Sequence, residues 1–198
     1  MPYTVYDKEW VNRTKMTEHD LTADEGRTYR YYPQSAGTTP PIFEFGAGLS
    51  LTTFNTSVSP LACSFPTEYQ LKTDAALAPP CTLTATTTNI GSDLSGDIVL
   101  ALYLKLDDVP SQSSSKLKKQ LVDFIRLEDI RPGQTKHASF EVMPETLALS
   151  DVSSGNLVAA AGSYTLTVED GSSTSSVPPP SVAVKMTGAD AVLSVFPA

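Results

Sequence analysis

By type, the residues of this chain best suited to chemistry are its carboxylates. They fall into three groups: Glu18, Asp20, Asp24 and Glu25 around His19, the pair Asp107-Asp108, and the pair Glu128-Asp129. A loop that holds a hard cation needs oxygen ligands at alternating positions closed by a Gly turn. The first group lacks that pattern and reads as a solvated acidic stretch. The two pairs read as loop charges rather than as an acid and its base. His19 and His137 have no Cys or second His at ligand spacing, which predicts no transition-metal site. Ser and Thr abound, yet no Gly-x-Ser-x-Gly elbow presents one of them as a nucleophile. The expectation is a chain with no catalytic residue, no metal and no cofactor.

Three other kinds of residue remain. The only cysteines are Cys63 and Cys81, and they are either a disulfide or two buried thiols. Closing a loop of that length would stabilise the fold by about 3 kcal/mol in the chain-entropy model. Asn12-Arg13-Thr14 and Asn55-Thr56-Ser57 are acceptor sequons for N-linked glycans in a secretory pathway. Tyr3, Tyr6, Trp10, Tyr29, Tyr31 and Tyr32 crowd one end of the chain. Aromatic faces stack on sugar rings and also fill domain interfaces. Left exposed, such rings form an apolar patch that calls for a partner or self-association.

The elements that must position these residues are strands. Short runs, alternating or continuously apolar, span Thr82 to Thr88, Ile98 to Leu104, Leu121 to Leu127, Lys136 to Val142, Tyr164 to Val168, Val182 to Met186 and Val192 to Phe196. Turn residues separate them at Asn89-Ile90-Gly91, Arg131-Pro132-Gly133, Ala161-Gly162-Ser163 and Asp170-Gly171. Ile98 to Leu104 is apolar on both faces, which predicts a central strand covered on each side. Tyr164 to Val168 alternates cleanly and predicts one wet face. Tyr103 and Phe124 are expected to supply core bulk. A further strand is expected near Leu51 to Phe54, and Glu68 to Ala78, ended by Pro79-Pro80, is the only helical candidate. Ser111 to Ser115 and Gly171 to Pro180 read as surface loops. The pattern predicts an all-β antiparallel sandwich of about seven strands (42–198) behind an extended N-terminal arm (1–41).

The 198 residues carry 22 acidic and 14 basic side chains, a net charge of -8. That balance repels phosphate backbones and argues against a nucleic-acid partner. No stretch approaches the roughly 20 apolar residues that cross a bilayer, which argues against a membrane partner. The sequons lean toward a secreted, extracellular protein. The opening Met1-Pro2-Tyr3-Thr4-Val5-Tyr6 has no signal-peptide character, which leads to the expectation of a piece of a longer secreted chain.

Two segments carry a resemblance. Gly26-Arg27-Thr28-Tyr29-Arg30-Tyr31-Tyr32, followed by Phe43-Glu44-Phe45-Gly46-Ala47-Gly48-Leu49-Ser50-Leu51-Thr52-Thr53-Phe54, is similar to a signature of family 3 glycoside hydrolases, and Met1 to Tyr6 with Met16-Thr17 resembles their β-xylosidase branch. Asp7, Glu44 and Leu51 depart from the common residues. Asn89-Ile90-Gly91, Gly96-Asp97-Ile98-Val99, Leu102-Tyr103-Leu104, Lys119-Gln120-Leu121, Phe124, Arg131-Pro132-Gly133-Gln134-Thr135, Phe140 and Gly162-Ser163-Tyr164-Thr165-Leu166 follow the order of the fibronectin type III-like module that ends those enzymes. The resemblance implies an immunoglobulin/fibronectin type III-like fold, with residues 1–41 the tail of an absent α/β sandwich domain plus a linker. In that family the nucleophile and the acid/base belong to domains that precede this region. It implies a non-catalytic module whose partners are the catalytic domains of the parent glycosidase, which it stabilises; the alternatives are a free-standing structural or assembly protein that self-associates through the aromatic arm, and a carbohydrate-binding module that contacts polysaccharide. The parent activity it implies is breakdown of xylan and arabinoxylan oligosaccharides.

Overall fold

The computed structural model describes residues 1–32, 39–60, 65–66, 81–171 and 178–196. The helical candidate Glu68 to Ala78 and Cys63 lie outside the described residues, as does most of the loop expected at Gly171 to Pro180. All seven expected runs are strands. They are β3 (Cys81–Asn89), β4 (Gly96–Asp108), β5 (Gln120–Ile130), β6 (Thr135–Val142), β9 (Gly162–Glu169), β10 (Ser181–Thr187) and β11 (Ala191–Ser194). The strand expected after the Gly46 to Gly48 turn is β1 (Phe54–Val58). Short strands without a legible sequence period complete the set: β2 (Phe65–Pro66), β7 (Leu149–Ser150) and β8 (Leu157–Ala159).

The strands form sheets ordered β1-β3-β6, β2-β10-β9-β4-β5 and β11-β8-β7. Pairing is antiparallel except for β10 with β2. Alternation decides which side chains face in. On β3, Leu83 and Ala85 are buried while the threonines between them reach the outer face. On β4, Ile98, Leu100, Leu102 and Leu104 point inward. With Phe140 and Val142 of β6, Tyr164, Leu166 and Val168 of β9, and Val184 and Met186 of β10, they make one continuous core between the first two sheets. At roughly 1.5–3 kcal/mol per fully buried large side chain, this shared core is what holds the sandwich closed.

Strand β4 is central, paired with β9 on one side and β5 on the other. Its second face is covered only at Tyr103, which is 2% exposed, whereas Val99 is 42% exposed. Phe124 corrects the sequence reading: it is 63% exposed and supplies no core bulk. Pairing of Phe124 with Ala101 places it on the outer face, and Ile125 and Leu127 take the inward positions. The register slips by one residue at Val122, so Leu121, opposite Tyr103, also faces outward. The Ser111 to Ser115 loop begins with a single 3-10 turn (Pro110–Gln112), in which Gln112 is turned inward and 7% exposed.

Candidate functional site: the aromatic arm on the outer sheet face

Among its described residues the arm is built largely of turns, with single helical turns α1 (Trp10–Arg13) and α2 (Thr28–Tyr31). A β-bridge between Val5 and Phe43 and a bond from the Met1 ammonium to the Ala47 carbonyl (2.6 Å) join its start to the segment before β1. The Gly26 to Tyr32 segment is the clamp. Gly26 sits at φ +78°, and a Cβ there would lie 2.5 Å from the Tyr31 carbonyl oxygen, so only glycine closes this turn. Arg27 donates to the carbonyls of Lys15 and Glu18, folding the acidic stretch back on the clamp. Thr28 is held at φ 60°, an unusual conformation for a β-branched residue, while its N–H donates to the Tyr6 hydroxyl at 2.6 Å.

The next residues reach the sandwich. Tyr29 stacks on Phe45 (centroids 4.3 Å apart) and meets Tyr103 edge-on (5.9 Å), and its hydroxyl accepts the Leu121 N–H at 3.3 Å. Arg30 donates to the Gln120 side chain at 2.9 Å, and its carbonyl accepts the Lys118 N–H at 2.6 Å. Lys119 sits 4.4 Å over the Tyr103 ring and pairs with Glu169 at 2.7 Å, half-buried. Burial first, and then the Glu169 charge, push the Tyr103 phenol far up from its ordinary pKa. A second ring group lies within the arm: Tyr6 stacks on Trp10 at 4.3 Å and meets Tyr32 edge-on at 5.1 Å. Tyr32 is 3% exposed and donates to the Thr39 carbonyl. Burial raises the phenol pKa of both tyrosines.

Beside the clamp the sheet face forms a groove of about 230 Å³ lined by Phe45, Val99, Tyr103, Leu121, Phe124 and Glu169. It is almost wholly apolar, so what it can do is bury another apolar surface. Of the sequence-selected rings, Tyr29 reaches this face, Tyr6, Trp10 and Tyr32 pair with one another, Tyr31 lies beside Arg30, and Tyr3 is 59% exposed. The carboxylates do not converge. Asp20 accepts the Thr22 N–H and hydroxyl, which lower its pKa, and Glu25 pairs with Arg13 at 3.3 Å. Asp107 accepts from Thr165, and Glu128 pairs with Arg126 at 3.2 Å. His19 is exposed, and His137 bonds Thr86 on the outer face of β6. Cys81 is disulfide-bonded, and its expected partner Cys63 falls outside the described residues. Asn12 and Asn55 are both exposed. Sequence reasoning missed Phe45, Gln120, Lys119 and Glu169 as parts of the clamp; Phe45, Lys119 and Gln120 lie within the family-like motifs, and Glu169 carried no signal.

A family model described as fibronectin type III-like domain matches residues 99–173, from the exposed Val99 of β4 to just past β9. Exo-1,4-beta-xylosidase bxlB of Emericella nidulans is 32% identical over 85% of this chain, and a probable exo-1,4-beta-xylosidase of Aspergillus fumigatus is 31% identical over all of it. A solved family 3 exo-beta-xylosidase, XlnD, superposes over 99% of this chain with a TM-score of 0.79 at 26% identity. The chain carries the C-terminal fibronectin type III-like domain of the family 3 β-xylosidase type. This domain and its arm span about a quarter of the length of the relatives they match, 22% and 25% for the two fungal sequences. A Kluyveromyces marxianus β-glucosidase (TM-score 0.59, 19% identity) shares the fold of the fibronectin type III-like domain over 77% of this chain.

Proposed function

We propose that this chain is the non-catalytic C-terminal module of a secreted family 3 β-xylosidase-like glycoside hydrolase, and that it stabilises the catalytic domains that precede it. The observation that carries this reading is the groove. An apolar sheet face with Phe124 63% and Val99 42% exposed lies beside an arm already clamped to the same face. An apolar surface of this kind, at the point where an N-terminal segment arrives, fits a neighbouring domain of the same polypeptide. Residues 1–41 then act as the tail and linker, and 42–198 as the module. The activity proposed for the parent is trimming of xylan and arabinoxylan oligosaccharides, supported by the similar fungal proteins being an exo-1,4-beta-xylosidase and a probable one.

Contact with polysaccharide is the weaker reading because the Tyr6 ring covers one face of Trp10. Two measurements test the proposal. The purified chain alone should release no product from an aryl β-xyloside above a buffer blank; turnover would overturn the non-catalytic assignment. In a chimera, this chain should replace the matching region of the Emericella nidulans enzyme and raise its thermal midpoint above that of the version lacking the region. Equal midpoints would overturn the stabilising role.

A further inference from the structure

The outer face of the β1-β3-β6 sheet is unlike the grooved face across the sandwich. It presents hydroxyl and polar groups: Thr84, Thr86 and Thr88 of β3 beside Ser139, His137 and Thr135 of β6. Cross-strand bonds already occupy several of them, with Thr86 and His137 3.0 Å apart and Thr88 and Thr135 2.8 Å apart. Strand β1 forms one margin of this sheet among the described residues. Its pattern is strictly alternating, with Phe54, Thr56 and Val58 turned in and Asn55 and Ser57 turned out and exposed. The pairings Asn55 with Thr88 and Ser57 with Thr86 continue the polar rows across all three strands.

Asn55-Thr56-Ser57 is also an acceptor sequon, and period-two geometry puts its amide and its hydroxyl on the same exposed side of the strand. The other sequon differs: Thr14, which supplies its hydroxyl, is 2% exposed within the arm packing. We propose that Asn55 is an N-glycan acceptor and that its glycan lies over the hydroxyl face of the β1-β3-β6 sheet. Neighbouring strands are about 4.8 Å apart, so the β6 row lies roughly 10 Å from Asn55, within reach of the first sugars of a glycan. The polar rows remain hydrated under such a cover, and no apolar surface is lost to it. The glycan thus sits on the opposite face of the sandwich from the arm and groove, and it marks the side of the module that stays in water.

The test is independent of the parent activity. The full chain is secreted from a yeast behind a supplied leader, and its intact mass and glycopeptides are read before and after peptide-N-glycosidase treatment. Asn55 should be occupied, and Asn55→Gln and Ser57→Ala should each remove one glycan mass step, while Asn12→Gln should leave the Asn55 step intact. Ser57→Ala keeps the asparagine, so loss of the step in that variant cannot be ascribed to a misfolded Asn55→Gln chain. In the occupied protein, nuclear Overhauser contacts should join sugar protons to the His137 ring or to the Thr86 and Thr88 methyls. A secreted chain with Asn55 unoccupied overturns the site, and an occupied Asn55 without those contacts overturns the placement.

Discussion

Asn89 offers a quantitative test of how the sequence holds the tip of this sandwich together. Its side chain is fully buried and makes four hydrogen bonds. The amide nitrogen donates to the carbonyls of Leu94 (2.9 Å) and Ile130 (2.8 Å). The amide oxygen accepts the Thr52 hydroxyl (2.7 Å) and the Gly91 N–H (3.0 Å). One side chain therefore ties together the start of β1, the turn after β3 and the end of β5. In Asn89→Ala the bond to the Ile130 carbonyl is the costly loss, because Ile130 is 0% exposed and water does not replace the lost donor, at about 1–3 kcal/mol. The other three partners lie on half-exposed or exposed residues and can turn to water, losing about 0.5–1 kcal/mol each. The whole change should cost about 2.5–6 kcal/mol, a large part of the roughly 5–15 kcal/mol that holds a typical domain. Thr52→Val removes one of the four bonds and should cost only about 1 kcal/mol. Urea denaturation followed by far-ultraviolet circular dichroism measures both, since the single tryptophan, Trp10, reports on the arm and not on the sheets. An Asn89→Ala loss below about 1 kcal/mol with an unchanged urea slope, or a loss equal to that of Thr52→Val, would refute the reasoning.

Two further tests address the clamp and the core. Tyr29→Ala removes a ring packed on Phe45 and Tyr103, worth about 3 kcal/mol of arm docking. Limited proteolysis should then cut within residues 8–30 much faster while the sandwich survives; an unchanged cleavage rate argues against the clamp. The Tyr164 phenol is fully buried and donates to the Ala160 carbonyl at 2.7 Å, and burial raises its pKa to about 12. Above the ordinary value near 10 the native state keeps a proton that the unfolded state has released. Stability is therefore complete below pH 10 and falls as pH rises toward about 12, by about 2–3 kcal/mol. Tyr103 adds a loss in the same direction. Urea unfolding across this range should show a steeper fall for the parent chain than for Tyr164→Phe, and matching slopes would count against the burial argument.

The strands from Thr82 onward were legible because a buried face imposes a period of two on the sequence, as in Leu83 and Ala85 with threonines between them. Strand β5 was legible as a strand but not as a set of faces. Leu121, Val122, Phe124, Ile125 and Leu127 put apolar residues on both parities, and the slip at Val122 is set by pairing with β4. Sequence alone therefore cannot tell Phe124, which lies on the outer face, from the inward Ile125 and Leu127. Strands β7 and β8 have two and three residues, too few to show any period. The Gly26 to Tyr32 segment was recognisable as a motif, but its role as a clamp was not, because Phe45, Tyr103 and Gln120 lie far from it along the chain.

By itself, the sequence determined an all-β chain, most of its strands, a kinship with the C-terminal region of family 3 β-xylosidases and the absence of any recognisable catalytic motif. Those properties are local, being spacings, turn residues and ordered motifs. Only the tertiary structure decided which aromatic rings pair, which face of β5 carries Phe124 into solvent and which sheet face is apolar. Each of these depends on register between strands distant in sequence, and a shift of one residue exchanges the two faces of a strand.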